Sequence, residues 1–227
     1  MKGKLRAAGR WVIPFLLMPL MIILCGRLDG RSFAWGILGM VILTLALFYA
    51  GFEKRTVGSR RMVIAAVMTA LSILGRIIFA PIPGFKPITA ITVITAVWIG
   101  GETGFLVGSM SALLSNFFAG QGPWTPFQMF AWGMIGLIAG LIAGPLKKSR
   151  IALAVYGIAA GVAYSLFMDI WTVLWYNGEI SWPMYTAAVV TAAPYMISYA
   201  ASNVVFLMLL GKPLGQKLER VKIKYGV

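Results

Sequence analysis

Long apolar stretches alternate with short polar breaks along this chain, and the cations concentrate in every second break. The sequence contains 20 lysines and arginines. Sixteen of them lie in every second break or in the two tails, namely Lys2, Lys4, Arg6, Arg10, Lys54, Arg55, Arg60, Arg61, Lys147, Lys148, Arg150, Lys212, Lys217, Arg220, Lys222 and Lys224. Only Arg27, Arg31 and Lys86 lie in the other breaks, and Arg76 lies inside an apolar stretch.

This distribution is typical of a multi-pass membrane protein. Cytoplasmic loops carry the excess of lysine and arginine because cations resist translocation across the bilayer. We therefore predict a multi-pass protein of the cell membrane with both termini in the cytoplasm. The net charge of +14 then reflects membrane topology and does not indicate binding to nucleic acid.

Composition supports the same class and narrows the chemistry. Of the 227 residues, 60% are apolar and only 11% are charged, which is the balance of a membrane protein. The long apolar runs show no alternation of period two, so they predict helices, which satisfy their own backbone in lipid. The sequence has no histidine, one cysteine and no P-loop motif. We therefore expect neither an enzyme nor a bound cofactor or metal.

The apolar runs predict eight helices, and the fold class is an all-α membrane protein. The predicted helices cover about 11–27, 33–52, 62–80, 87–100, 103–119, 125–146, 151–177 and 184–210. The basic start and first apolar run look like a signal peptide, but no cleavage site of the A-x-A type follows, so we expect a retained helix. The polar break at 53–61 predicts two units, a two-helix unit over 1–58 and a six-helix substrate-binding unit over 59–227.

The predicted helix at 87–100 is short for a membrane span, so it is either a span or a re-entrant segment. The Gly100-Gly101 pair breaks the apolar run, and Thr103 is a candidate cap for the next helix. Joining 87–119 into one span would place the cations at 147–150 outside, against the charge rule. We therefore predict eight helices rather than seven.

Small residues recur at spacings of four. The rows are Ala66/Ala70, Gly104/Gly108/Ala112, Gly136/Gly140/Gly144 and Gly157/Gly161. Such rows allow the backbones of two helices to approach closely in lipid. We interpret them as internal packing surfaces, with a docking face for another subunit as the alternative.

Two ionisable residues lie within predicted helices at similar depth, Arg76 and Asp169. Intramembrane charges are costly and normally face a partner or a ligand. The sequence leaves open whether Arg76 and Asp169 form a structural ion pair or both face a ligand.

Uncharged polar side chains and aromatic rings gather at the predicted outer surface. The break at 119–128 contains glycines, prolines and Trp124, and the loop at 80–87 contains three prolines and Lys86. These residues predict an outward-facing pocket for a planar or bulky solute with few charges, although an interfacial aromatic belt and a plain connecting loop are the alternatives. The candidate substrate-binding residues are Arg76, Lys86, Asn116, Gln121, Trp124, Gln128, Asp169 and Trp175.

The stretch from Arg61 to Gly144 resembles the substrate-specific (S) component of energy-coupling factor (ECF) transporters. The resemblance rests on MVIAAVMTALSILGRIIF and on GFKPITAITVITAVWIGGETGFLVGSMSALLSNFFAGQGPWTPFQMFAWGMIGLIAG. It implies a six-helix protein that binds a vitamin or similar micronutrient from outside and associates with a membrane coupling protein and two cytoplasmic ATPases. It also implies that the protein topples in the membrane to release its substrate, and it maps the family's docking motif onto Ala66 and Ala70.

The resemblance leaves the ligand and the two N-terminal helices unassigned, because one fold serves many solutes. The aromatic, amide-rich outer surface suggests a large and mostly neutral ligand, and cobalamin or a related corrinoid is our first expectation. Queuosine-like compounds and other vitamins remain open. The alternatives to a transport subunit are a structural or assembly subunit without a small-molecule site and a small membrane enzyme.

Overall fold

The computed structural model describes residues 35–36, 38–39, 41–46, 49 and 59–226, and the described chain contains helices and no strand. The continuous part forms seven helices: α1 (Ser59–Ile78), α2 (Ile88–Trp98), α3 (Gly101–Ala119), α4 (Thr125–Leu141), α5 (Ala143–Lys148), α6 (Arg150–Asn177) and α7 (Trp182–Tyr225). Among the described residues, α1, α6 and α7 are long and apolar enough to cross a membrane. The predicted all-α membrane protein is confirmed.

Helix α1 has its polar residues inside and its apolar residues outside. Thr69, Ser72 and Arg76 are buried along one face, whereas Val63 and Leu74 are exposed on the other. Exposing apolar side chains to lipid carries no free-energy penalty, whereas polar side chains in a membrane need partners within the protein. This inverted pattern places the polar face of α1 toward the interior of the bundle.

Helix α2 is a short central helix. It has 11 residues and is buried continuously from Ile88 to Val97, and at 1.5 Å per residue it is only about 16 Å long. It is therefore too short to cross a hydrocarbon core of about 30 Å. The predicted break before the next helix is confirmed, since Gly100 has a φ of 138°, which only glycine adopts readily.

The expected cap at Thr103 is wrong. Helix α3 begins at Gly101, ahead of Thr103, and the Thr103 hydroxyl accepts a hydrogen bond from Arg61 Nε at 2.8 Å. Arg61 Nη2 also donates to the carbonyl oxygen of Ile99 at 3.2 Å. Arg61 thereby ties the N-terminal end of α1 to the turn between α2 and α3.

The glycine rows of α3 and α4 pack against each other, as the sequence predicts. A Cβ atom on Gly136 would lie 2.6 Å from the backbone of Gly104, and one on Gly108 would lie 2.5 Å from the carbonyl oxygen of Trp132. Side chains at these positions would push the two helices apart. Gly144 has open space around it, so the row does not continue as a contact surface to that residue.

The helix predicted over 125–146 is interrupted at Ile142. Helix α4 ends at Leu141 and the short α5 begins at Ala143. Pro145 explains the break, because it has no N–H to donate to the carbonyl of Leu141 and its ring clashes with that carbonyl.

Helices α6 and α7 form a long antiparallel hairpin, and α7 continues well beyond the predicted end at 210. Gly161 packs against the backbone of Ala200. Helix α7 contains 44 residues and passes through Pro194 and Pro213 without ending. Its last turns are held by tertiary contacts, because Gly215 lies against the Trp98 ring and Lys222 Nζ donates to the Trp98 carbonyl at 3.3 Å.

The described part of the predicted helix at 33–52 is helical and packs on the six-helix unit. Tyr49 donates a hydrogen bond to Ser109 of α3 at 2.6 Å. The Trp35 ring contacts Trp175 of α6 edge-on, with ring centroids 5.8 Å apart. The predicted helix at 11–27 and its retention lie outside the described residues.

Candidate substrate site

The candidate site is centred on Arg76, which lies in the last turn of α1. This guanidinium group is buried, with only 9% of the residue exposed. Its Nη1 atom donates to Ser115 Oγ and to Asn116 Oδ1 at 2.9 Å. Both acceptors lie on α3 near its C-terminal end. A buried arginine needs such acceptors, since an unpaired charge in the interior is costly.

Asn116 extends this hydrogen-bond network from α3 to α4. Its Nδ2 atom donates to Thr125 Oγ1 at 2.9 Å and to Gln128 Oε1 at 2.8 Å. The network therefore joins three helices through side chains that lie far apart in the sequence.

Gln121 fastens the loop between α3 and α4. Its Nε2 atom donates to the Leu113 carbonyl at 2.8 Å, and its Oε1 atom accepts from Thr125 at 2.9 Å. Both ends of the amide are thus used within the protein. Gln121 therefore stabilises the loop between α3 and α4.

Aromatic rings line the network on its inner side. The Arg76 guanidinium lies over the Trp132 ring, 5.4 Å from its centroid. Trp132 stacks on Tyr164, with centroids 4.5 Å apart and an interplanar angle of 17°, and Tyr164 contacts Tyr199 at 5.1 Å. Trp132 Nε1 donates to Thr89 of α2 at 3.1 Å. This arrangement places flat, polarisable surfaces beside hydrogen-bonding groups.

The predicted loop at 80–87 is attached to α7 rather than lying free over the site. Ser198 donates to the Pro83 carbonyl at 2.7 Å. Ser202 accepts from the Lys86 backbone N–H at 2.8 Å and donates to the Lys86 carbonyl at 2.9 Å. A loop fixed by three hydrogen bonds can open only when these bonds break.

Lys86 lies in this loop and is half-buried. Burial lowers the pKa of its ammonium group below the ordinary value of 10.5, and the nearby positive charge of Arg76 lowers it further. The two cations are therefore close enough to repel each other. In the part of the chain that the structure describes, no ion pair neutralises either of them.

Asp169 lies apart from the Arg76 network. Its carboxylate is buried, and the Oδ2 atom has no hydrogen-bond partner within the described chain. Its electrostatic neighbour is Tyr185 of α7, and no ion pair with Arg76 occurs among the described residues. Of the two interpretations left open by the sequence, the structural ion pair is therefore not formed.

The two predicted tryptophans lie outside the network and are both 39% exposed. Trp124 packs its ring over Gly122. Trp175 contacts Trp171 at 5.3 Å as well as Trp35. Trp175 thus belongs to an aromatic row that continues through Trp171 to Phe127, and the centroids of the Trp171 and Phe127 rings are 4.4 Å apart.

The sequence analysis did not select Ser115, Trp132, Tyr164 or Tyr199, which complete the network. Trp132 follows Gln128 by one helical turn, so the amide already selected pointed to this face of α4. Tyr164 lies near the middle of α6, away from the interface where tyrosine is normally enriched. A tyrosine at that depth was the signal that could have marked Tyr164 as a candidate site residue.

The predicted docking residues lie on a different surface. Ala66 and Ala70 are both exposed near the middle of α1, on a different side of the helix from the buried Ala65 and Thr69. Unlike the glycine rows of α3 and α4, this row is therefore not buried by the described part of the chain.

The chemistry available at the site is that of binding. Asn116 uses its amide within the network and holds the polar groups of Arg76 and Gln128 at the edge of the stacked rings, an arrangement that suits a planar solute with polar edges. Among the described residues, no group of three or more histidine, cysteine, aspartate or glutamate side chains is placed to hold a metal ion.

Comparison with known families identifies the class of protein. A family model described as "ECF-type riboflavin transporter, S component" matches residues 57–220, which is well over half of the chain. No curated protein and no solved structure gave a match. The description names riboflavin, and so gives no support to the corrinoid expectation. The chain therefore belongs to the family of S components of ECF-type riboflavin transporters, and it is a substrate-binding membrane subunit of an ECF importer.

Proposed function

We propose that this chain captures riboflavin or a closely related flavin on the outer side of the membrane. The observation that carries the proposal is the buried Trp132–Tyr164 stack beside the polar groups of Arg76, Asn116 and Gln128. A flavin ring is planar and apolar on its faces, and carries carbonyl and imide groups at one edge. Aromatic stacking and hydrogen bonding at one site match both features.

The proposed binding residues are a revised form of the set that the sequence suggested. The set keeps the network residues Arg76, Asn116 and Gln128 and the loop residue Lys86. It adds the stacked rings of Trp132 and Tyr164. Gln121 shapes the loop above the network. Asp169, Trp124 and Trp175 stay predicted ligand contacts, from the outer part of the bundle.

The partners follow from the family. We propose that a membrane coupling protein and two cytoplasmic ATPases associate with this chain, and that Ala66 and Ala70 form part of the docking surface. Exposure of both residues supports this assignment, because close helix approach in lipid requires small residues. We also propose that residues 1–58 form a separate two-helix unit, and the start of the family match at residue 57 supports that division.

A binding titration tests the proposed function. The detergent-purified chain is titrated into riboflavin, whose fluorescence reports binding, in the absence of ATP. We expect saturable binding of one flavin per chain, with weaker binding by Asn116→Ala and unchanged binding by the control Asn177→Ala, which alters an exposed amide. Cyanocobalamin should give no upward thermal shift. Absence of a shift with any flavin would instead favour a structural or assembly subunit.

A further inference from the structure

The last turns of α7, residues 211–225, form a terminal segment that lies across one end of the bundle. Gly215 packs against the ring of Trp98, the last residue of α2. Further along, the carbonyl oxygen of Tyr225 accepts a hydrogen bond at 2.7 Å from Nη1 of Arg60, in the first turn of α1. Because α2 ends and α1 begins at this end of the bundle, these contacts hold one side of the terminal segment against it.

The opposite side of the terminal segment carries three cations. Lys217, Arg220 and Lys224 are all exposed, and their spacings of three and four residues place them on one side of the helix. Gly215 and Leu218, which are buried, lie on the other side. We call Lys217, Arg220 and Lys224 the basic face. Since the buried side is packed on the bundle, the basic face is held pointing away from it.

No carboxylate neutralises the basic face within the described chain. Glu219 is the one acidic residue of the terminal segment, and it pairs with Lys147 of α5 at 3.1 Å. The Lys147 ammonium group also lies 5.8 Å from the centroid of the Trp98 ring, so this ion pair belongs to the packed side. A fixed surface of like charges without counter-charges favours an anionic partner.

The length of α7 places the basic face at the membrane surface. The helix contains 44 residues, which at 1.5 Å per residue is about 66 Å, whereas the hydrocarbon core is about 30 Å thick. The terminal segment therefore lies beyond the core. Clusters of lysine and arginine directly after a membrane-spanning helix attract the anionic lipids of the cytoplasmic leaflet.

An exposed apolar side chain favours lipid over an acidic protein as the partner. Ile223 adjoins Lys224 in the sequence and lies one helical turn from Arg220, and it is 77% exposed. A helix that combines cations with exposed apolar residues is typical of the interface between headgroups and acyl chains. Both features of this surface therefore match an anionic phospholipid.

We propose that the basic face binds the headgroups of anionic phospholipids on the predicted cytoplasmic side of the membrane. Lys217, Arg220 and Lys224 thereby hold this end of the bundle at the headgroup layer. The surface is distinct from the candidate substrate site, since Arg76 lies in the last turn of α1 whereas the terminal segment contacts the first turn. The inference goes beyond the proposed function and does not depend on it.

The experiment measures lipid binding by the full chain in a non-ionic detergent. Phosphatidylglycerol, an anionic lipid, is titrated, and the rise in Tm gives its apparent Kd. Phosphatidylcholine, which has no net charge, is the comparison. The basic face is removed by the triple variant Lys217→Gln, Arg220→Gln, Lys224→Gln. Three exposed cations outside the basic face are removed by the matched control Lys148→Gln, Arg150→Gln, Lys212→Gln.

We expect phosphatidylglycerol to raise the Tm of the unmodified chain more than phosphatidylcholine does. Loss of the basic face should raise the apparent Kd of phosphatidylglycerol about hundredfold, since each cation near an anionic surface contributes about fivefold. The matched control should raise this Kd less than about tenfold, because its cations act only at longer range. Both variants should keep the Tm of the unmodified chain without lipid, because the substituted side chains are exposed.

The outcomes separate this inference from the proposed function. Equal Tm shifts with the two lipids, or equal effects of the two triple variants, would overturn the lipid-binding face. A Tm shift with inorganic phosphate alone that equals the shift with phosphatidylglycerol would indicate a site for free anions, and would also overturn it. Absence of riboflavin binding by the unmodified chain would contradict the proposed function and would leave the lipid comparison unaffected.

Discussion

Trp132 and Tyr164 stack almost in parallel, 4.5 Å apart between ring centroids, although they lie on different helices. Arg76 lies over the Trp132 ring, and Thr89 accepts a hydrogen bond from its indole N–H. The stack is therefore held in one orientation by groups from α1, α2 and α6. Both rings are buried, so their side-chain freedom is already lost before any ligand binds.

Removal of the stack should weaken flavin binding. Tyr164→Leu retains an apolar side chain but loses the aromatic face, and an aromatic pair contributes about 0.5–1.5 kcal/mol beyond its buried area. We expect the Kd of the flavin to rise between about twofold and tenfold, as measured by fluorescence titration. Tyr176→Leu is the control, because Tyr176 is 79% exposed near the end of α6. Equal effects of the two substitutions would contradict a role for the stack.

Asn116 should matter for stability as well as for binding. Asn116→Ala leaves a buried arginine, a threonine and a glutamine without one partner each. An unsatisfied buried polar group costs about 1–3 kcal/mol, so the variant should unfold at a clearly lower temperature in detergent. A Tm that matches the unmodified protein would show that water replaces the amide and that the network is not structural.

The attachment of the proline-rich loop to α7 should control ligand exchange. The double variant Ser198→Ala, Ser202→Ala removes the three hydrogen bonds to Pro83 and Lys86. Each contributes about 1 kcal/mol, so we expect the rate of flavin dissociation to rise at least fivefold in stopped-flow displacement. Thr186→Ala and Thr191→Ala serve as controls on the same helix, since their hydroxyls bond only within α7. An unchanged rate would mean that the loop does not gate the site.

The sequence predicted most helices well because apolar length alone determines where a chain can cross a bilayer. It did not predict the end of α7, since Lys212 and Pro213 normally signal a stop, whereas packing of Gly215 on Trp98 carries the helix onward. Tertiary contacts of this kind outweigh local propensity.

The site shows the same division between local and tertiary information. Arg76, Asn116 and Gln128 were predictable because polar groups in apolar helices need partners. Trp132 and Tyr164 carried only weak signals, namely the spacing of Trp132 from Gln128 and the depth of Tyr164, because an aromatic residue in an apolar run is equally typical of a core position. The sequence predicts similar depths for Asp169 and Arg76, yet depth does not determine which neighbouring helix a side chain faces.

The exposed alanines of α1 should separate uptake from binding. Ala66→Trp places a large ring on the face proposed for the coupling protein, where small residues allow close approach. We expect unchanged flavin affinity of the purified chain and loss of flavin uptake by cells that express the complete transporter. Val190→Trp is the control, because Val190 is 73% exposed and lies on α7 rather than on the proposed docking helix. Loss of binding in Ala66→Trp would point to internal packing instead of docking.

Lys86 should destabilise the ligand-free protein at neutral pH. Burial and the charge of Arg76 lower its pKa in the folded protein below the unfolded value of 10.5, so the folded state binds fewer protons than the unfolded state between the two values. Stability therefore rises with pH through that window and is lowest where Lys86 is charged in both states.

We expect Lys86→Gln to raise the Tm of the ligand-free protein at pH 7, by an amount that shrinks as the pH approaches 10.5. Thermal unfolding across this pH range measures the effect, with Lys212→Gln as the exposed-cation control. A constant difference between the variant and the unmodified chain at all pH values would show that Lys86 acts through packing rather than through its charge.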